Sequence, residues 1–365
     1  MKKVVFASLA LALTVPMAHA EENLTPGLRD RRIGYVLTDD HWAVHATKDG
    51  KAECPDGVND GPREQYEKIF PVGSKRKLVD ADLKREAEIW MPDLTPDQFV
   101  WKEALGNVVN GVNLDGKIKP NDYTDDSGEK GIDNEFFRVL GCVDIYRPGN
   151  GVYDLYNHYM QSYNYTRTVI ELTNVDSLLN DDDVTVNVYR GLDQMLTDGS
   201  GNSHLPYGPM RIDTRWGKEF RATFHGRIKD GVLLTEPGDV TMPQNYVFED
   251  FSTIKLLGSQ LKLRVLSDSA VGVWGGYVDI EAFYRGTNGS LSTHSISYGR
   301  LSAASMYRAL YKRADGFPDP KTGKNRGISG AKEVKFKQVF IDHTGDAVAS
   351  DDKAPKQKQT ASAAP

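Results

Sequence analysis

The residues best placed to do chemistry are a histidine pair, a carboxylate pair and a long acidic run. His41 and His45 stand four apart in DDHWAVH, with Asp39 and Asp40 beside them. On a helix those positions share one face, and on a strand 41, 43 and 45 do. Either geometry could offer two imidazoles to a transition metal, although the sequence places no third ligand. Half-exposed strand histidines are the plainer expectation. Asp279 and Glu281, in YVDIEAFYRG, alternate onto one face of an expected strand together with Tyr277. Two such acids could be the proton donor and acceptor of a glycosidase or lyase. They could equally be the solvated side of that strand. Metalloprotease, nucleophile-elbow, P-loop, dinucleotide-fingerprint and haem-attachment motifs are all absent. That removes the most recognisable enzyme classes but not enzymes with dispersed sites.

The acidic run is NLDGKIKPNDYTDDSGEKGIDNE, residues 113–135, with seven carboxylates, three lysines and three glycines. Calcium takes six to eight oxygen ligands, and Asn113, Asp115, Asp122, Asp125, Asp126 and Asp133 are the candidates. Asn113-Leu114-Asp115-Gly116 resembles the middle of an EF-hand loop, or of the Asp-rich loops of thrombospondin type-3 and dockerin modules. The resemblance implies a structural Ca2+ for a segment without a core of its own. It departs from the pattern at both ends. With Asp115 as the fifth loop position, Gly111 falls first and Asp122 twelfth, where those families have Asp and Glu. A second frame, with Asp125 third, starts on Tyr123 and overlaps the first. Tandem EF-hands are therefore excluded, and an irregular calcium site is the expectation. Without an ion, the stretch reads as an acidic surface loop.

These groups need a compartment and a scaffold. Lys2 and Lys3, the apolar run Val4–Pro16 and Ala18-His19-Ala20 read as a bacterial-type signal peptide over 1–20. The expected location is periplasmic or extracellular. Cys54 and Cys142 are the two cysteines, and in an oxidising compartment they are expected to form one disulfide. A net charge of −6 disfavours nucleic acid as a partner. After the leader, no apolar run is long enough for an integral membrane span.

The elements that must hold the candidates fall in two textures. Residues 21–160 read as a mixed α/loop region carrying the acidic loop and both cysteines, with alternation over 34–47 that suits one or two strands. Short helices are expected at Arg63–Phe70, Val79–Trp90 and 132–142, the last with Ile132, Phe136, Val139 and Leu140 on one stripe. Residues 161–345 read as β, with runs at 166–175, 183–191, 219–228, 231–237, 252–267, 271–286 and 333–341. One helix interrupts at 302–315, and 346–365 reads as a disordered tail. The expected fold class is mainly β, an antiparallel two-sheet sandwich of jelly-roll or lectin-like type. Two functions fit: an exported, calcium-stabilised protein binding a glycan or envelope component, or a secreted carbohydrate-active hydrolase or lyase with its site on one sheet face.

Overall fold

The computed structural model describes residues 25–47, 50–59, 100–147, 157–158, 160, 167–201, 203–244, 252–288 and 303–344. The leader at 1–20, the tail at 346–365 and the expected helices Arg63–Phe70 and Val79–Trp90 lie outside them.

In chain order the strands are β1 (Arg32–Trp42), β2 (Tyr123–Thr124), β3 (Lys130–Ile132), β4 (Thr168–Thr173), β5 (Asp181–Arg190), β6 (Gly208–Arg211) and β7 (Ala222–Lys229). They continue with β8 (Val232–Thr235), β9 (Gly238–Gln244), β10 (Ser252–Val265), β11 (Ser269–Asp279), β12 (Gly316–Pro318) and β13 (Asn325–Asp342). Among the described residues three α-helices accompany them: α1 (Glu135–Leu140), α2 (Ile280–Asn288) and α3 (Ala303–Lys312).

The sandwich expectation is overturned by one pairing. Hydrogen bonding runs β1-β4-β5-β7-β8-β10-β11-β13, all antiparallel, and β1 then pairs with β13. The eight strands therefore close into an antiparallel barrel, each stave following its neighbour in chain order. Closure leaves these strands without a free edge, which a sandwich of two open sheets would have. The strand runs were legible locally, but the β1–β13 contact joins residues almost three hundred positions apart, such as Thr38 and Lys335. β1 overlaps the 34–47 stretch whose alternation suits a strand, and through it the N-terminal segment supplies a stave of the same sheet.

Alternation fills the barrel with apolar side chains. Leu37, Ile170, Val186, Leu263, Trp274 and Phe336 point inward in one core. Outward neighbours include His225, Arg227, Lys262, Arg264 and Lys335, the reverse of the apolar-out, polar-in pattern of membrane barrels. Among the described residues no helix is long and apolar enough to cross a membrane.

Helices close one end. Phe136 of α1 lies 4.6 Å from Trp42 and 4.9 Å from Phe283 of α2, ring to ring. α1 starts later than its sequence stripe suggests, at Glu135, because Ile132 is taken by β3. Asn134 caps it by accepting from the Phe137 amide, while its Nδ2 donates to the carbonyls of Ala43 and Asn110. Cys142, just past the helix, is bonded to Cys54 as expected. Helix α3 falls inside the expected 302–315.

One residue decides which side chains of β1 face out. Ile33, Tyr35 and Leu37 point into the core. The ladder with β13 then slips by one between Leu37 and Asp39, with Thr38 as the extra residue. A one-residue bulge exchanges the two faces of all that follows. Asp40 and Trp42 therefore turn inward, and Asp39 and His41 turn outward.

Candidate functional site

The outward side chains beyond the bulge line a groove of about 570 Å³ on the barrel wall. Its floor is Val271, Gly272 and Val273 of β11, with Val232 beside them. Gly272 is required there, since a Cβ would lie 2.1 Å from the Lys262 carbonyl oxygen. Cross-strand register sets the rest. Val273 stands between Lys262 and Glu333, and Glu333 opposite His41. Val271 stands between Arg264 and Lys335, and Lys335 opposite Asp39. The third wall is the acidic loop, with Asn110, Asp125, Asp126 and Ser127.

Charges in the groove are largely matched. His41 Nε2 lies 3.0 Å from Asp39 Oδ1, and His45 Nε2 lies 3.9 Å from Glu333 Oε2. Asn110 Nδ2 donates to Asp126 and to Glu333, joining the loop to β13. Lys262 Nζ reaches Asp125 at 3.5 Å and Glu129 at 2.5 Å. Burial works to lower the His41 pKa, but the hydrogen bond and charge of Asp39 outweigh it and leave it raised. Burial likewise works against ionised Asp39, yet His41 and Lys335 hold its pKa below the ordinary value. The pair is thus biased toward imidazolium and carboxylate, not toward a neutral base.

The structure brings His41, His45, Asp125 and Asp126 together and leaves the other candidates elsewhere. Asp279 ends β11, where its Oδ1 accepts from the Ala282 amide at the start of α2. The expected strand 271–286 breaks there, so Glu281 is helical and does not alternate with Asp279. Glu281 accepts hydrogen bonds from the hydroxyls of Tyr307 and Tyr311 on α3. Asn113, Asp115, Asp122 and Asp133 lie outside the groove lining.

The acidic loop uses its carboxylates on its own turns. Asp115 pairs with Lys119 and accepts from the Lys117 amide. Asp122 accepts from the Lys119 amide. Asp125 Oδ1 takes the amides of Ser127 and Glu129 and the Ser127 hydroxyl. Asp133 Oδ2 accepts from the amides of Leu114 and Asp115. Burial pushes the Asp133 carboxyl up to about 6, against those two amides and with the Asp115 charge adding to it. Among the described residues no group of three or more His, Cys, Asp or Glu side chains is arranged to hold a metal ion.

Sequence reasoning missed Asn110, Lys262, Arg264, Glu333 and Lys335: barrel closure sets Glu333 and Lys335 opposite β1, β11 sets Lys262 and Arg264 across from them, and Asn110 comes from a loop. For the four strand residues, outward alternation was the available signal. No protein-family model, curated protein or solved structure matches the chain. Fold and site alone define its class: a disulfide-bonded, eight-stranded antiparallel barrel with a polar groove on its outer wall.

Proposed function

We propose that the chain is an exported binding protein that holds a glycan or another envelope component in this outer-wall groove. The observation that carries the reading is the convergence of His41, His45, Asp125 and Asp126 with Asn110, Glu333 and Lys335 over a valine floor. Such a lining offers closely spaced donors and acceptors, as hydroxyl-rich ligands require. Among the described residues its lining holds no Trp, Tyr or Phe, so the recognition proposed rests on hydrogen bonds and charge and not on ring stacking. The leader-like residues 1–20 and the Cys54–Cys142 bridge support an oxidising compartment.

A hydrolase or lyase is the second reading, and one observation favours it. Asp39 and His41 form an acid–base pair at 3.0 Å that faces the groove. Against it, Asp279 and Glu281 are engaged at α2 and α3, and the groove holds no second carboxylate pair free of partners among those described above. Titrating purified polysaccharides against the protein while following their chain length separates the two. Saturable binding with chain length unchanged supports the binding protein; progressive shortening that Asp39→Asn abolishes supports the enzyme.

A further inference from the structure

A second cavity, of about 360 Å³, lies on the outer faces of β5, β7, β8 and β10. Strand register makes it the groove's neighbour. Gln260 of β10 lines the cavity, while Lys262 and Arg264, the next outward residues of that strand, line the groove. On β8 the same division falls between Leu234, in the cavity, and Val232, in the groove. Leu234 stands directly opposite Lys262 on one side and Arg227 on the other. From Lys262 to Arg227 is thus two strand spacings, about 10 Å along the wall. The far wall comes from a bulge in β5. Its ladder with β7 slips by one residue between Asp181 and Val184, and Asp182 and Asp183 both line the cavity. The Glu236 amide donates to the His225 carbonyl, which sets Glu236 beside His225 at the end of β8. Among the described residues the side chains of Arg227 and Glu236 have no ion-pair partner, so the cavity holds a donor and an acceptor not already engaged.

We propose that the groove and this cavity are successive subsites for one uncharged, hydroxyl-rich polysaccharide chain laid across β11, β10, β8 and β7. The inference rests on the binding function proposed for the groove and names the class of its ligand. Length follows from adjacency: a chain held over Val273 and Lys262 meets Leu234 next, and then Arg227. Lack of charge follows from the linings. Together they carry seven carboxylates against four Lys and Arg side chains, so a polyanion would be repelled. A sugar hydroxyl both donates and accepts, and it can use Glu236 and Arg227 alike. Leu234 continues the apolar floor that Val273 and Val232 begin.

The test is titration calorimetry of the intact protein with two-unit and six-unit fragments of neutral glucan, mannan and galactan. A six-unit oligogalacturonate serves as the acidic counterpart. At least one neutral hexasaccharide should bind saturably, at least tenfold more tightly than its own disaccharide and than the oligogalacturonate. Arg227→Ala with Glu236→Ala changes only exposed side chains. It should bring the hexasaccharide down to the affinity of the disaccharide and leave the disaccharide's own affinity unchanged. Equal affinity of the wild type for both lengths, or equal hexasaccharide binding by wild type and variant, overturns the shared path and leaves the groove as a separate, short site. Oligogalacturonate binding as tight as that of the best neutral chain overturns the ligand class. Absence of binding by every probe overturns the proposal together with the reading of the groove on which it rests.

Discussion

Asp40 Oδ2 lies 2.7 Å from Lys332 Nζ inside the barrel, with the two side chains 3% and 2% exposed. They come from β1 and β13, the strands whose pairing closes the sheet, and Lys332 Nζ sits 4.9 Å from the Trp42 ring. Breaking a buried pair by removing one partner strands a charge in a low-dielectric interior. Asp40→Ala should therefore cost about 3–5 kcal/mol in urea unfolding. The double change Asp40→Leu with Lys332→Met should recover most of that loss. A cost under about 1 kcal/mol for Asp40→Ala would mean that water reaches Lys332.

The disulfide fastens the 50–59 segment to the chain just past helix α1, which closes one end of the barrel. It closes a separation of 88 residues, for which chain entropy gives about 4 kcal/mol. Replacing Cys54 and Cys142 by serine should lower the melting midpoint while leaving the barrel's far-ultraviolet signal intact below it. An unchanged midpoint would show that packing of Phe137 and Ile132 already holds the region.

Asp133 makes stability depend on pH. Its folded pKa, about 6, stands above the ordinary 3.8, so the folded chain binds this proton more tightly than the unfolded one. The contribution is unfavourable above pH 6 and fades as pH falls from 6 toward 4. Asp133→Asn should raise stability at pH 7.5 by roughly 1–3 kcal/mol and flatten the profile between pH 4 and 6. Equal losses for this variant at pH 4 and 7.5 would show that only the hydrogen bonds to Leu114 and Asp115 matter.

Calcium should leave the protein's melting midpoint unchanged, as should a chelator. Asp115, Asp122, Asp125 and Asp133 already accept hydrogen bonds from backbone amides, and Asp115 is paired with Lys119. A ligand that binds only the folded state must raise the midpoint. A calcium-dependent rise abolished by Asp125→Ala would mean that the loop rearranges around an ion.

What the sequence made legible was local. Period-two runs located β4, β5, β7, β8 and β10, because one face of each meets the core and the other meets water. The cysteines and the compartment pointed to the bridge. Two things were hidden. Closure depends on β1 meeting β13 across nearly the whole chain, which no local pattern encodes. The Thr38 bulge then reverses the parity of β1, so a strict alternation would have put His41 inside with Leu37. Asp279 and Glu281 misled for a related reason: Asp279 caps a helix, and the apparent alternation ran across the boundary.

We propose that the groove binds its ligand and does not cut it. Its most direct test is binding of a panel of neutral and acidic envelope polysaccharides to the wild type and to Arg264→Glu with Lys335→Glu, with chain length followed in the same samples. Saturable binding of at least one polysaccharide by the wild type is expected, at least tenfold weaker in the groove variant, with no shortening. Equal binding by both proteins, or shortening by the wild type that Asp39→Asn abolishes, would contradict it.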